Sequence, residues 1–288
     1  MNDEVQTLGA KGARQEPTRP ERHQASTAPI GGLVDEAPDT MTIHTREAYR
    51  LFIGRPADTA QQRSAIVGGR RVAASLRAIW YLSGNDNPYA DWVLVDIGER
   101  LAEIGESLQR QTEWAEERLQ ALQQRGLHFS VLQSRSPQHL ELGFRSPYGY
   151  AVADLVVRYD YFNRVIKTLT RKDLLPDTEG VSLVASYTRR LRSVFREPIR
   201  FERWLMRDEL RPLSRHDFLP AASADARKRV QAVMALLGPV PRDVFTGTRV
   251  PRHSKRRVEL TAQELKLLQD ADLTWSPAAT DADEASLL

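Results

Sequence analysis

The sequence predicts a mainly α-helical protein with a small antiparallel β component, arranged as a helical bundle with one long helix and a β-hairpin. Three observations support this fold class. Apolar residues recur at helical spacing through most of residues 46–237. A seven-residue apolar repeat runs through residues 89–124, and two short segments near residues 128–144 alternate apolar and polar side chains.

The first elements are a short strand, TMTIH at residues 40–44, and a helix from Arg46 to about Ile53. In the strand, Met41 and Ile43 are predicted to face inward. After the loop GRPADTAQQ, a helix is predicted from about Arg63 to Leu82. The pair Gly68–Gly69 weakens its beginning by about 1 kcal/mol per glycine relative to alanine, so a later start is the alternative.

The longest predicted helix spans about residues 89–124. Its apolar seam repeats every seven residues, at Leu94, Leu101, Leu108, Ala115 and Leu122. The pattern fades at polar positions such as Gln111 and Arg118. Packing of the seam within the chain is therefore favoured over a dimeric coiled coil.

The segments HFSVL and HLELGF, joined by QSRSP, predict a β-hairpin. A helix then begins at Pro147, and its apolar stripe continues through Leu155, Phe162 and Leu169. A further helix is predicted over about Val181 to Phe195. Weaker helices follow near residues 200–210 and 223–237, and LTAQELKLLQDADL predicts a last short helix.

These elements divide the chain into four parts. Residues 1–38 and 276–288 lack a periodic apolar face and predict a disordered N-terminal tail and a disordered acidic tail. Residues 39–248 predict the helical domain with its small sheet. Residues 249–275 predict a basic connector followed by a short helix.

Composition excludes several classes of protein. The chain has 288 residues, and its 41 basic residues against 38 acidic ones leave a net charge of only +3, so overall charge makes no argument for nucleic acid. The absence of cysteine excludes disulfides and thiolate metal sites. No apolar run reaches the roughly 18 residues of a membrane span, and no signal-peptide core is visible. A soluble cytoplasmic protein that does not contact a membrane is expected.

No catalytic, metal or cofactor site is predicted. The HExxH, GxxxxGK[ST], GxGxxG and GxSxG patterns do not occur, and no histidine lies three or four residues from another. The dyad His216–Asp217 is typical of surface groups. Tyrosines at Tyr148, Tyr150, Tyr159 and Tyr161 lack the accompanying residues of a strand-transfer enzyme and are typical of a core or an interface. The sequence therefore predicts a protein that is not an enzyme.

Four longer runs carry a resemblance to a known family: TMTIHTREAYRLFIGR, LRAIWYLSGNDNPYADWVLV, SPYGYAVADLVVRYDYFNRVIKTLTRKDLL and RRLRSVFREP. They resemble a conserved protein family of integrating conjugative elements and related plasmids, which is similar in turn to the AcaB-like transcriptional regulators. The resemblance covers about residues 40–250. It implies a mobile-element context and, for the AcaB-like members, transcriptional regulation through a ribbon-helix-helix fold.

A ribbon-helix-helix needs a strand and two helices, in a dimer whose paired strands enter the major groove. Three places begin correctly. The segment KRRVELTAQELKLLQDADL has no second helix after it, and the strand at 139–144 already has a predicted hairpin partner. The strand at residues 40–44 fits best. The alternative is that this strand pairs with the hairpin and completes a small sheet.

The predicted partners are double-stranded DNA and a second copy of the chain. In the N-terminal placement, Thr42 and His44 reach bases, Arg46 begins the first helix, and Ser64 lies near a helix N-terminus that can hold a phosphate. The connector contributes backbone-binding cations, unless it is a solvated linker; these are Arg252, Lys255, Arg256 and Arg257.

A second basic segment is the helix that carries Arg189, Arg190, Arg192 and Arg196, which either lines a phosphate surface or is simply solvated. Two functions stay open. The first is a DNA-binding regulator. The second is a non-catalytic accessory or scaffold protein of the conjugation machinery, which an exposed apolar seam on the long helix would favour.

Overall fold

The computed structural model describes residues 32–57, 64–257 and 260–270. Residues 1–37 and 38–288 form separate units, and every described helix and strand belongs to the second. The second unit is mainly helical with one two-stranded antiparallel sheet, which confirms the predicted class. Most of the predicted tails lies outside the described residues, so their disorder stays a prediction.

The strands are β1 (Thr40–Ile43) and β2 (Gln138–Glu141), and the principal helices follow in chain order. They are α1 (Arg46–Ile53), α2 (Gly69–Leu82), α3 (Pro88–Gln123), α4 (Pro147–Arg171), α5 (Asp177–Leu205), α6 (Ala224–Leu237), α7 (Arg242–Phe245) and α8 (Ala262–Asp270). Two short 3-10 turns lie at Ser83–Asn85 and Arg215–Phe218.

Helices α1 and α3 begin where the sequence supplies caps. Thr45 accepts a hydrogen bond from the Ala48 backbone at the start of α1. Asn87 does the same for Tyr89 and Ala90 at the start of α3, where Pro88 occupies the first helical position. Gly54, with φ at 78°, ends α1 in a backbone conformation that favours glycine.

Four helices build the core. Helix α4 packs against α2, α3 and α5, and α1 covers α4 beside the sheet. The seam of α3 is buried inside this bundle, with Leu94, Ile97 and Leu108 at most 1% exposed. Packing of the seam within the chain is therefore confirmed.

The predicted β-hairpin is wrong. Residues 128–132 form no strand, and β2 pairs instead with β1, with Met41 opposite Leu140 and Ile43 opposite Gln138. The Leu132 backbone is bonded to α4: its N–H donates to Thr168 Oγ1 at 2.9 Å, and its carbonyl accepts from Arg164 Nε at 2.8 Å. The inward direction predicted for Met41 and Ile43 is confirmed, since both are buried.

Two helix boundaries also differ from prediction. Helix α2 begins at Gly69, so the later start is correct, because the backbone at Gly68 lies against Gly54 and residues 64–68 are not helical. Helix α5 continues through Pro198 to Leu205, whereas the sequence predicts separate helices there. Proline interrupts one helical hydrogen bond, but Pro198 is buried, and Phe195, Phe201 and Leu205 on both sides of it are held in the core.

Candidate nucleic-acid interface

The predicted reading strand is hydrogen-bonded inside the chain. Strand β1 pairs with β2, and the Thr42 hydroxyl lies 3.0 Å from His139 Nδ1 across the sheet. A ribbon-helix-helix strand pairs with its copy in a second subunit. In this chain, one edge of β1 and the side chain of Thr42 already have partners in β2.

The turn from β1 to α1 is fixed to α4 by one buried carboxylate. Asp160, which is 2% exposed, accepts hydrogen bonds from the backbone of His44 and from both the backbone and the hydroxyl of Thr45. The His44 ring is also engaged, because its Nδ1 accepts from the Ser134 backbone at 3.3 Å. These bonds hold the first residues of the domain in place.

Two further residues of the predicted site are Arg46 and Ser64. Arg46 is exposed at the start of α1. Ser64 lies in the loop before α2, five residues from the helix start, and its carbonyl accepts from Arg55. Ser64 is therefore not at a helix N-terminus. The phosphate site predicted at Ser64 depends on a helix N-terminus, which the structure places five residues further along the chain.

The basic connector packs against the bundle through a buried ionic network. Arg215 Nη1 lies 2.6 Å from Asp86 and 3.0 Å from Asp91, and Arg256 lies 2.6 Å and 3.3 Å from the same two carboxylates. Both aspartates and Arg215 are at most 1% exposed. Burial raises the pKa of Asp91, and the charges of Arg215 and Arg256 act in the opposite direction.

Other connector residues also have partners. Lys255 Nζ lies 4.4 Å from the ring centroids of Trp80 and of Tyr81, and the His253 carbonyl accepts from the Tyr148 hydroxyl at 2.8 Å. Arg252 and Arg257 are exposed and form no ion pair within the described part of the chain. The connector is therefore packed against the bundle, and Arg252 and Arg257 are exposed cations of it without an ion-pair partner among the described residues.

A row of five arginines lies along one side of α5. Arg189, Arg192, Arg196, Arg200 and Arg203 are spaced three or four residues apart, which places them within about 80° of one another around the helix axis. From Arg189 to Arg203 they extend about 21 Å along the helix. All but Arg192 are exposed. We refer to these five residues as the arginine face, and Arg207 follows it just beyond the helix end.

The arginine face is nearly free of carboxylates. Arg200 lies 3.9 Å from Glu197, and the other four form no ion pair with any described residue. Elsewhere, exposed arginines are neutralised one turn away, as in the pairs Arg100–Asp96 and Arg158–Asp154. The Nε of Arg192 is buried and has no hydrogen-bond partner among the described residues.

A groove of about 420 Å³ adjoins the N-terminal half of this face, between α4 and α5. Arg189 and Arg192 line it, together with Lys167 and Glu47, which lie 2.7 Å apart. Burial acts to raise the pKa of Glu47, but the hydrogen bond and charge of Lys167 outweigh it and lower the pKa. The groove therefore joins the arginine face to α1, whose Glu47 is paired with Lys167.

The spacing of these arginines is visible in the sequence. The predicted helix ends at Phe195, however, so the prediction does not place Arg196, Arg200 and Arg203 on one helix with Arg189 and Arg192. Arg190, which the sequence groups with the other basic residues, points away from the face and contacts α3 through Ser107 and Glu103. Within the described ranges, no group of three or more histidine or acidic side chains is arranged to hold a metal ion. None of the described helices combines the length and apolar composition that a membrane span requires.

Comparison with known proteins identifies the family of this chain. No curated protein matches the sequence. The chain is similar to a crystal structure of selenomethionine-containing AcaB from uropathogenic E. coli, with 19% sequence identity, a TM-score of 0.44, and coverage of 58% of this chain and 79% of that chain. The family described as transcriptional regulator AcaB matches residues 29–257. This match spans most of the sequence, and the chain therefore belongs to the AcaB family of transcriptional regulators.

Proposed function

We propose that this regulator binds double-stranded DNA and that the arginine face of α5 is its backbone-binding surface. The observation that carries the proposal is a row of five arginines, four of them exposed, with a single, long carboxylate contact among them. Unpaired guanidiniums attract phosphate, whereas an arginine already paired with a carboxylate contributes little net positive potential.

The dimensions of the face suit a duplex. Double-stranded DNA carries one negative charge per about 1.7 Å of axis, so 21 Å of axis presents roughly 12 phosphates. Five arginines along that length can contact several of them at once. Backbone contacts of this kind supply affinity and register, and contacts with base edges supply sequence preference.

The base-reading element is proposed to be the region of β1, with Thr42 and His44 as its candidate residues and with Arg46, Arg252 and Arg257 as accessory cations. The described hydrogen bonds of Thr42 and His44 lie within the chain, so the arginine face is the better supported of the two surfaces. A second copy of the chain, as in ribbon-helix-helix regulators, is part of the same proposal.

The proposed context is an integrating conjugative element or conjugative plasmid, on the basis of the sequence resemblance. The alternative role, a scaffold of the conjugation machinery, depends on an exposed apolar seam along α3. That seam is buried in the bundle, so the described residues do not provide the observation on which the alternative depends.

The test is a fluorescence anisotropy titration of duplex DNA taken from upstream of the neighbouring transfer genes, repeated over a range of salt concentrations. The triple variant R189Q/R196Q/R203Q should bind more weakly on every sequence. Its salt slope should fall by about 0.9 for each phosphate that is no longer bound. The matched control is R100Q/R110Q/R158Q, which removes three arginines that already have carboxylate partners.

Both variants lower the net charge by the same amount, so a difference between them reports the location of the charge. The proposal requires the control to retain nearly all of the affinity and slope. Equal reductions in the two variants would show a general charge effect and contradict the assignment to α5. Failure of the intact protein to bind any duplex from its own element would contradict DNA binding itself.

A further inference from the structure

A second basic site lies apart from the arginine face, between α2, the end of β2 and the start of α4. It is a recess of about 300 Å³, and we call it the Ser146 recess. Its walls include Phe52, Arg70, Arg77, Phe144, Arg145 and Ser146. On α2, Arg70 and Arg77 are seven residues apart and therefore lie on the same side of the helix.

The recess carries an excess of positive charge. None of Arg70, Arg77 and Arg145 forms an ion pair within the described part of the chain. The carboxylate of Glu141 also lines the recess, and it too has no ion-pair partner among the described residues. Three arginines and one glutamate therefore line a small volume.

Ser146 adds an unused hydrogen-bonding group. It is only 4% exposed, yet its hydroxyl forms no hydrogen bond with any described residue. It occupies the N-cap position of α4, a helix of 25 residues, but does not cap the helix with its side chain. A serine at an N-cap ordinarily bonds a backbone N–H of the first turn, and here the hydroxyl remains available to a ligand.

Two aromatic residues, Phe52 and Phe144, form an apolar wall of the recess, and both are packed against neighbouring groups. Phe144 covers the first turn of α4 so closely that a Cβ atom at Gly149 would lie 2.6 Å from its ring. The Phe144 and Phe52 rings meet edge to face at 6.4 Å, and the Arg70 guanidinium lies 6.0 Å from the Phe52 ring centroid. The site thus has a cationic side and an apolar side, as ligand pockets commonly do.

We propose that the Ser146 recess binds the phosphate group of a small phosphorylated molecule. Arginine guanidiniums bind phosphate through paired hydrogen bonds, and the Ser146 hydroxyl supplies a further donor to the same group. The volume lies at the lower end of the range for small-molecule sites. Because Ser146 is only 4% exposed, a small ligand that enters the recess can reach it more easily than the backbone of a duplex can. This ligand goes beyond the proposed DNA binding.

The test is isothermal titration calorimetry on the full chain with two probes, inorganic phosphate and adenosine 5′-monophosphate, in chloride buffer. Binding should saturate at one ligand per chain. The variants S146A and R77Q/R145Q should each weaken it by roughly tenfold, because each removes hydrogen bonds to a charged group. The control R100Q/R158Q should leave it unchanged. Thermal melting of each variant checks that the fold is intact.

Two further measurements separate the sources of phosphate and the two proposals. The triple variant R189Q/R196Q/R203Q should lose DNA affinity and retain the binding of both small probes. If neither probe saturates, or if the control weakens binding as much as R77Q/R145Q does, the assignment is overturned. If R77Q/R145Q reduces only the affinity for duplex DNA and no small probe binds, the recess belongs to the DNA interface and the small-ligand proposal is overturned.

Discussion

The Arg215 guanidinium lies 2.6 Å from the Asp86 carboxylate, and neither side chain is more than 1% exposed to solvent. Arg215 also donates to the carbonyls of Phe245 and Val244, at 2.7 and 2.8 Å. It therefore joins the turn before α3 to α7, while Arg256 joins the same turn to the connector. One buried arginine links three segments that are distant in sequence.

Replacing Arg215 with alanine should destabilise the fold by roughly 3–5 kcal/mol, because it leaves Asp86 and Asp91 buried with one fewer cation. Chemical denaturation monitored by circular dichroism measures the change. The comparison variant R158A breaks an exposed pair with Asp154 and should cost less than about 1 kcal/mol. Similar destabilisation in the two variants would contradict the structural role of the buried network.

Replacing Gly68 and replacing Gly98 with alanine should change the stability of the fold in opposite directions. A Cβ at Gly68 would lie 2.4 Å from the Gly54 nitrogen, so G68A forces the end of α1 away from the start of α2 and should destabilise the fold. A Cβ at Gly98, inside α3, meets nothing within 4 Å. G98A should therefore stabilise the protein by about 1 kcal/mol through helix propensity. Thermal melting of both variants checks the pair, and a stabilising G68A would refute the close approach.

The double variant T42A/H44A tests the reading strand against the arginine face. If Thr42 and His44 contact bases, the change should remove sequence preference, at about 1–3 kcal/mol per base contact. The hydrogen bonds of Thr42 to His139 and of His44 to Ser134 give both side chains a structural role as well. We expect the double variant to lose its preference for the operator, and its stability to fall by about 0.5–1.5 kcal/mol for each hydrogen bond removed. Discrimination that persists in the double variant would contradict the assignment of β1 as the reading strand. Anisotropy with an operator and with random duplex distinguishes the two results.

The pair of Glu47 and Lys167 should add stability that depends on pH. The pKa of Glu47 is lowered, so its contribution is present above about its ordinary value of 4.5 and is lost as pH falls through the lowered pKa. Both side chains are about a third or more exposed, so the effect should be below about 1 kcal/mol. K167Q should be less stable than the parent chain at pH 7, and the difference should shrink toward pH 3. A difference that stays constant with pH would contradict the ion pair.

Local pattern was sufficient for most of the helices. The cap at Thr45 and the apolar spacing in residues 46–53 predicted α1, and the seam of Leu94, Leu101 and Leu108 predicted both the length of α3 and its burial. These features follow from residues within a few turns of one another, where caps and periodic apolar faces act. The mainly helical class, the inward side of β1 and the later alternative start of α2 were predictable for the same reason.

The tertiary structure decided which distant segments meet. Strand β1 pairs with β2 across 97 residues between Thr42 and His139, and Arg256 meets Asp91 across 165 residues. No local spacing specifies such partners, so the sequence predicts the connector either as cations open to DNA or as a solvated linker, whereas Arg256 is paired with buried carboxylates. Phe195 and Phe201 pack in the core on either side of Pro198, and α5 continues through this proline. Only that continuous helix places the five arginines on one face.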